Sequence, residues 1–284
     1  MKKVNKFLIT NLFLFLITSN VYAKPFPSRI VALAPSITEI LFAVGAGKKI
    51  VGVSSFSNYP PQAQKIVKVG SYIHLNLEKI IFLQPDLAIG MWGNNRKDQI
   101  KRLKNAGIKV YMAKEPNSIR DILEVILKVS SVVGSYERGR VLVHTLKKQI
   151  YERSKRLKGL KLVKVFFQIN NKPIITVNRY TFQNDLIRLA RGINIAEDQF
   201  IRYPKMSIEQ VIAKKPEVIL ISCMERGGMF EKAKQQWLRW NCIPAVKEGR
   251  IYLVNSDLVD RPGPRIAQGL KLLIKLIHPE VKSD

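Results

Sequence analysis

Two stretches, LEKIIFLQPDLAIG (77–90) and IEQVIAKKPEVILIS (208–222), carry one pattern. Each runs through an acid, an apolar helical face, a basic or amide residue, a proline, a second acid and then an unbroken apolar run. Glu78 stands seven positions before Pro85, and Glu209 seven positions before Pro216. The spacing before each proline suits a short amphipathic helix, and the run after it suits a buried strand. Proline ends a helix and biases the preceding residue toward extended backbone, so each stretch reads as a helix delivering the chain into a strand. Such turns recur in α/β folds, and chance similarity is one explanation of the echo. The other is a chain of two lobes built on one unit, with Glu78 and Glu209 at corresponding points.

Reading outward favours two lobes. IVALA (30–34), IVGVS (50–54), DLAIG (86–90) and IKVYMA (108–113) are of strand type. SITEILFAVGAG (36–47), residues 76–83 and RKDQIKRLKNAG (96–107) are helical. Ser36 is a good N-cap and Glu39, three residues on, completes a capping box; Gly45 or Gly47 can stop that helix. A helix over 118–134 follows, then one over 136–159 that would span about 35 Å at 1.5 Å per residue. Alternation resumes with LVKVFFQI (162–169), helices at 181–191 and 207–214, EVILIS (217–222), a helix at 231–240, RIYLV (250–254) and a terminal helix from about Pro264. Strand–helix–strand alternation implies parallel sheets with helices on their faces. The expected organisation is an α/β lobe over 24–134, a helix over 135–159 and a second α/β lobe over 160–284.

The first 23 residues lie outside this scheme. Lys2, Lys3 and Lys6 precede the apolar run FLITNLFLFLI (7–17), and Val21-Tyr22-Ala23 has the small-residue form of a cleavage site. Together they read as a secretory signal peptide, too short for a stable membrane span. No cysteine directly follows the cleavage point, so no lipid attachment is expected. The chain carries 48 Lys and Arg against 21 Asp and Glu, a net charge of +27. That would suit nucleic acid or an anionic surface. The basic residues, however, are spread over nearly every helix without an aromatic-basic stripe, which disfavours nucleic acid. In an oxidising compartment the two cysteines, Cys223 and Cys242, are a candidate disulfide or two free thiols.

Reactive chemistry is not evident. His74, His144 and His278 have no metal-ligand spacing. GAGKKI (45–50) lacks a third glycine and follows a helix, where a dinucleotide loop follows a strand. No nucleophile elbow or phosphate loop occurs. What remains are loops at the carboxyl ends of strands, where open α/β sheets bind ligands. Phe56 and Tyr59 follow one strand in VGVSSFSNYPPQAQ (51–64), Met91 and Trp92 another, and Asp257, Leu258, Val259, Asp260 and Arg261 the last. Tyr72 and Tyr203 lie on loops entering the two echoed helices. Such rings could line a cleft between lobes, or pack beneath their own loops.

RIVALAPSITEILFAVGAG, VGVSSFSNYPPQAQKIVKVG, LNLEKIIFLQPDLAIG and NSDLVDRPGPRI resemble the cobalamin branch of the iron-chelate and cobalamin substrate-binding superfamily, whose members serve bacterial ABC importers. The resemblance extends over essentially the whole mature chain. It implies two α/β lobes joined by one rigid helix, with cobalamin in the cleft as a transported ligand, no cofactor and no catalysis. It carries a corrin-contacting tyrosine onto Phe56, tryptophans onto Tyr72, Met91 (or its neighbour Trp92) and Tyr203, and a final-loop aspartate and arginine onto Asp257 and Arg261. Asp260 shortens the acid before that arginine. The resemblance also implies that Glu78 and Glu209 dock onto a permease with its ATPase, and that the protein acts as a monomer in the periplasm. It gives no support to a Cys223–Cys242 bridge. The substituted rings leave room for another corrinoid, for haem or for an iron-siderophore chelate. A secreted basic protein binding anionic surfaces is the alternative from a different class.

Overall fold

The computed structural model describes residues 26–71, 73–93, 95–222 and 229–281. The leader segment 1–23, Tyr72 and Cys223 lie outside the described residues. Strand β1 (Ile30–Ala32), helix α1 (Pro35–Ala43), β2 (Ile50–Val53), α2 (Leu77–Phe82), β3 (Leu87–Met91), α3 (Lys97–Asn105) and β4 (Val110–Ala113) form the first lobe. Its strands are all parallel in the order β2-β1-β3-β4. Helices α4 (Ile119–Val132) and α5 (Tyr136–Lys155) follow. The second lobe holds β5 (Val163–Asn170), β6 (Ile175–Thr176), α6 (Phe182–Leu189), β7 (Gly192–Asn194), α7 (Ile208–Lys214), β8 (Val218–Ile221), α8 (Met229–Trp237), α9 (Pro244–Lys247), β9 (Ile251–Leu253), α10 (Ser256–Val259) and α11 (Ile266–Ile277). Here β5 pairs in parallel with β7 and β8, and β8 with β9. The short β6 runs antiparallel to the end of β5, an exception to the expected parallel sheet.

The central strands explain themselves. All residues of β3 and of β8 are buried. Helices cover both faces of a parallel sheet, so such strands are continuous apolar runs without alternation.

The sequence echo is also an echo of the backbone. The side chains of Asn76 and Ser207 cap α2 and α7 by accepting the amides of Lys79 and Gln210. After each helix one residue turns left-handed, Gln84 (φ 44°) and Lys215 (φ 50°), just before its proline. The acid after the proline then caps the neighbouring strand. The Asp86 carboxylate accepts the Ser28 amide and hydroxyl and the Arg29 amide, at 2.7–2.8 Å. The Glu217 carboxylate accepts the Lys164 amide at 2.9 Å. Those bonds, from the Ser28 hydroxyl first, hold Asp86 below the usual carboxylate range.

One apolar core runs through both lobes. It joins Ile37, Ile40 and Leu41 of α1, Ile122 and Ile126 of α4, Val143, Leu146 and Ile150 of α5, Leu186 of α6 and Leu270 and Leu273 of α11. Separate cores lie on the outer face of each sheet, under α2 and α3 in the first lobe and under α7, α8 and α9 in the second. The bridge is therefore broader than the single helix expected over 135–159. Helix α5 ends at Lys155, about 30 Å long at 1.5 Å per residue, and packs on α4 and α11, while α4 also meets α6. Close-packed interiors resist deformation, so a shared core makes the lobe pair stiff.

The start of α1 also departs from expectation. Proline at position 35 opens the helix, Ala34 precedes it, and no side chain caps it. The Ser36–Glu39 capping box is not made: Ser36 is buried, and Glu39 turns toward the second lobe.

Candidate ligand cleft

The carboxyl ends of the two sheets meet at their flanks. On one flank the loop after β2 meets the segment after β9. The Arg261 guanidinium donates to Glu39 Oε1 (3.1 Å), Asn58 Oδ1 (2.7 Å) and the Phe56 carbonyl (3.1 Å), and pairs with Asp257 (2.7 Å). Arg265 adds a two-pronged pair to Glu39, Nε to Oε2 at 2.9 Å and Nη2 to Oε1 at 2.6 Å. Its guanidinium also lies 4.2 Å from the Tyr59 ring centroid. Glu39 is 3% exposed, so this is a buried acid shared by two arginines across the lobe junction. A cavity of about 440 Å³ lies beside it, lined by Phe42, Tyr59, Gln62 and Arg265.

On the other flank the loop after β4 meets the loop after β7. Arg202 Nη1 pairs with Glu115 at 3.0 Å, and Nη2 donates to the Pro116 carbonyl at 2.8 Å. Close by, the Ile119 amide at the start of α4 donates to Asp185 of α6 at 2.9 Å. Between these polar flanks stand the loops after β1 and β3, the latter carrying Trp92, and Ser222 after β8. That intervening space is the candidate cleft.

The 51–64 loop is fixed from below and open above. Ser54, Ser57 and Thr38 form a buried hydroxyl chain with 2.9 Å links. Lys68 clamps the loop by donating to the carbonyls of Ser57 (2.8 Å) and Ala63 (3.0 Å), and burial pushes its pKa down. Thus held, the loop carries Phe56 51% exposed. Trp92 and Tyr203 are each 37% exposed. Burial pushes the Tyr203 hydroxyl pKa up. These three, with Tyr59 (41%) stacked on Arg265, are the sequence-selected rings that stand exposed among the described residues.

Several other selected residues have different places. Met91 is not a cleft residue: it ends β3 at 1% exposure, packed in the shared core against Ser36. Trp92, one residue on, lies beyond the end of the strand and is exposed. Val259 is fully buried and Leu258 packs on the same core. Asp257 and Arg261 form the lobe clamp, so their groups are committed to protein partners. Asp260 accepts from the Ser222 hydroxyl (2.5 Å) and from Gln183 (3.2 Å). Cys242 is exposed and its thiol free; the expected bridge falls on Cys223, which lies outside the described residues. Glu78 and Glu209 are both exposed at helix starts, and a hydrogen bond with Ser207 holds Glu209 below its usual pKa.

Glu39, Asn58, Arg265, Glu115 and Arg202 were not identified as site residues in the sequence. Glu39 was visible only as a local capping pattern, while its partners lie 222 and 226 positions away. Phe200 and Ile201, 97% and 70% exposed beside Arg202, form the other exposed apolar step on the second lobe's loop.

Asp260 gives a test of this packing. Burial first, with the nearby Asp257 charge, raises its pKa to about 6 against the ordinary 3.8, despite the bonds from Ser222 and Gln183. The folded state therefore holds this proton more tightly than the unfolded chain does. That contribution is fully present below about pH 4 and is lost as pH rises through about 6, on the order of 2–3 kcal/mol. In urea unfolding between pH 4 and 7, the unaltered protein should lose about that much stability relative to Asp260→Asn. Parallel curves would show that Asp260 ionises normally.

Paired lobes with facing strand ends, a ring-bearing slot and a stiff common core define a two-lobed ligand-binding protein. Residues 30–258 match the family described as periplasmic binding protein, and the chain belongs to that family. It is 34% identical over 262 residues, 91% of this chain and 92% of the relative, to the vitamin B12-binding protein of Vibrio cholerae serotype O1. Among solved structures it resembles the periplasmic vitamin B12 binding protein BtuF of Vibrio cholerae, with a TM-score of 0.76 and 30% identity over 88% of this chain and 96% of that one. It also resembles the periplasmic heme-binding protein RhuT of Roseiflexus sp. RS-1, with a TM-score of 0.79 and 28% identity over 89% and 98%. Family membership implies a location outside the cytoplasm.

Proposed function

We propose that this protein captures a corrinoid, cobalamin in particular, in the cleft and delivers it to an ABC permease and its ATPase. One observation carries the reading: the 34% identity to a vitamin B12-binding protein covers nine-tenths of both chains. The cleft agrees with it, since Phe56, Trp92 and Tyr203 offer exposed apolar surface on a rigid frame, suited to a broad macrocycle. A preordered frame loses less entropy on binding than a hinged one. The leader 1–23 would export the chain to the periplasm, where it acts as a monomer and makes or breaks no bond. Calorimetric titration with cyanocobalamin, with haemin as comparator, tests the ligand; tight haemin binding without cobalamin binding would favour the haem reading that the likeness to RhuT suggests.

Delivery needs a docking face. Glu78 and Glu209 occupy equivalent starts of equivalent helices, one per lobe, and opposite charge on a two-fold permease would set orientation. Substituting both by alanine should leave ligand affinity unchanged and reduce reconstituted cobalamin transport at least tenfold. Unaltered transport would remove the docking role.

A further inference from the structure

The flank opposite the Arg261 clamp holds a device that the capture function does not yet use. Glu115 follows β4 and Arg202 follows β7, so their 3.0 Å pair crosses from lobe to lobe at the carboxyl ends of both sheets. It is a partly open pair, with side chains 32% and 24% exposed, unlike the enclosed Glu39 cluster. Each partner touches a cleft wall. The Glu115 carboxylate packs against the turn after Trp92, where Gly93 adopts φ +86° and an added Cβ would overlap the carboxylate. The Arg202 guanidinium stands 5.2 Å from the Tyr203 ring centroid. The ion pair thus joins the turn after Trp92 to the Tyr203 ring. A guanidinium carries five donors, and Arg202 Nε is enclosed without a hydrogen-bond partner, so the protein alone does not satisfy the group fully.

We propose that Arg202 is a ligand-recognition residue held in reserve by Glu115. Without ligand the pair closes one flank of the cleft. A macrocycle seated on Tyr203, with carbonyl acceptors at its rim, takes over an arm of the guanidinium and leaves Glu115 to solvent. The guanidinium stays hydrogen-bonded when a ligand carbonyl replaces Glu115, and the released carboxylate is partly open to water, which limits the cost of the exchange. A charged donor discriminates ligands by the acceptors at their rim: amide- or carboxylate-bearing macrocycles are held, and bare apolar ones are not.

This inference rests on the cleft being the ligand site, and two variants with opposite expectations test it. Arg202→Gln removes the recognising group, and cyanocobalamin Kd should rise about tenfold, mainly through faster dissociation in stopped-flow measurements. Glu115→Gln removes only the competitor, and Kd should stay level or fall, with association a few-fold faster. If both variants weaken binding alike, the pair serves only to hold the lobes and the recognition role is wrong. If neither changes Kd or rates while the unaltered protein binds, Arg202 has no part in capture. No binding of cyanocobalamin by the unaltered protein would overturn this inference together with the proposed function. Matching circular dichroism and melting curves of both variants keep a folding defect from imitating the result.

Discussion

Replacing Glu39 by alanine should destabilise the protein by about 3–5 kcal/mol, the loss typical of removing one partner from a buried ion pair. Glu39 answers Arg261 and Arg265 together, and both arginine side chains are nearly enclosed, at 13% and 12% exposure. Without the carboxylate two guanidinium groups remain in a junction that water does not reach freely. Glu39→Gln keeps an acceptor but not the charge, and a loss of about 1–3 kcal/mol is expected. Chemical denaturation of the two variants against the unaltered protein measures this. A loss below 1 kcal/mol for the alanine variant would mean that the shared apolar core alone holds the lobes.

The second large effect concerns ligand affinity. Trp92→Ala and Phe56→Ala should each raise the cyanocobalamin Kd by roughly thirtyfold. The figure follows from about 80 Å² of apolar ring surface per residue covered by ligand, at about 25 cal/mol per Å², or about 2 kcal/mol. Met91→Ala provides the contrast, because Met91 is sealed in the core. It should cost about 2–5 kcal/mol of stability and leave the affinity of the folded protein nearly unchanged. A thirtyfold loss of affinity at Met91 with none at Trp92 would reverse the assignment of these neighbours.

That pair illustrates what the sequence reveals and what it conceals. Strand-helix alternation and the doubled helix–proline–acid–strand unit declared both lobes, because each rests on local periodicity and on proline chemistry. The left-handed residues at 84 and 215 and the matching caps of Asp86 and Glu217 trace to that same local pattern. That Met91 is sealed in the core while Trp92 is exposed depends instead on where a strand buried on both faces ends, and such a strand carries no alternation to read. Glu39 misled for a related reason. Ser-x-x-Glu before an apolar run is a sound capping signal, but proline at the first helical position left the glutamate free for arginines at the far end of the chain. The Glu115–Arg202 pair had no local signature, since only the docking of two sheet edges brings residues 115 and 202 together. Asp257 and Arg261 were expected to contact ligand, and their contacts make them a lobe clamp in this structure.

The central claim is that the facing strand ends form one preformed slot for a flat macrocycle. A crystal structure of the mature protein with cyanocobalamin tests it most directly. The corrin should lie between Phe56 and Trp92 on one side and Tyr203 on the other, with the Glu39–Arg265 pair unbroken. A corrin bound elsewhere, for instance in the basic groove of about 560 Å³ between α5 and α11, would contradict the claim, as would a complex in which the Glu39 cluster has come apart.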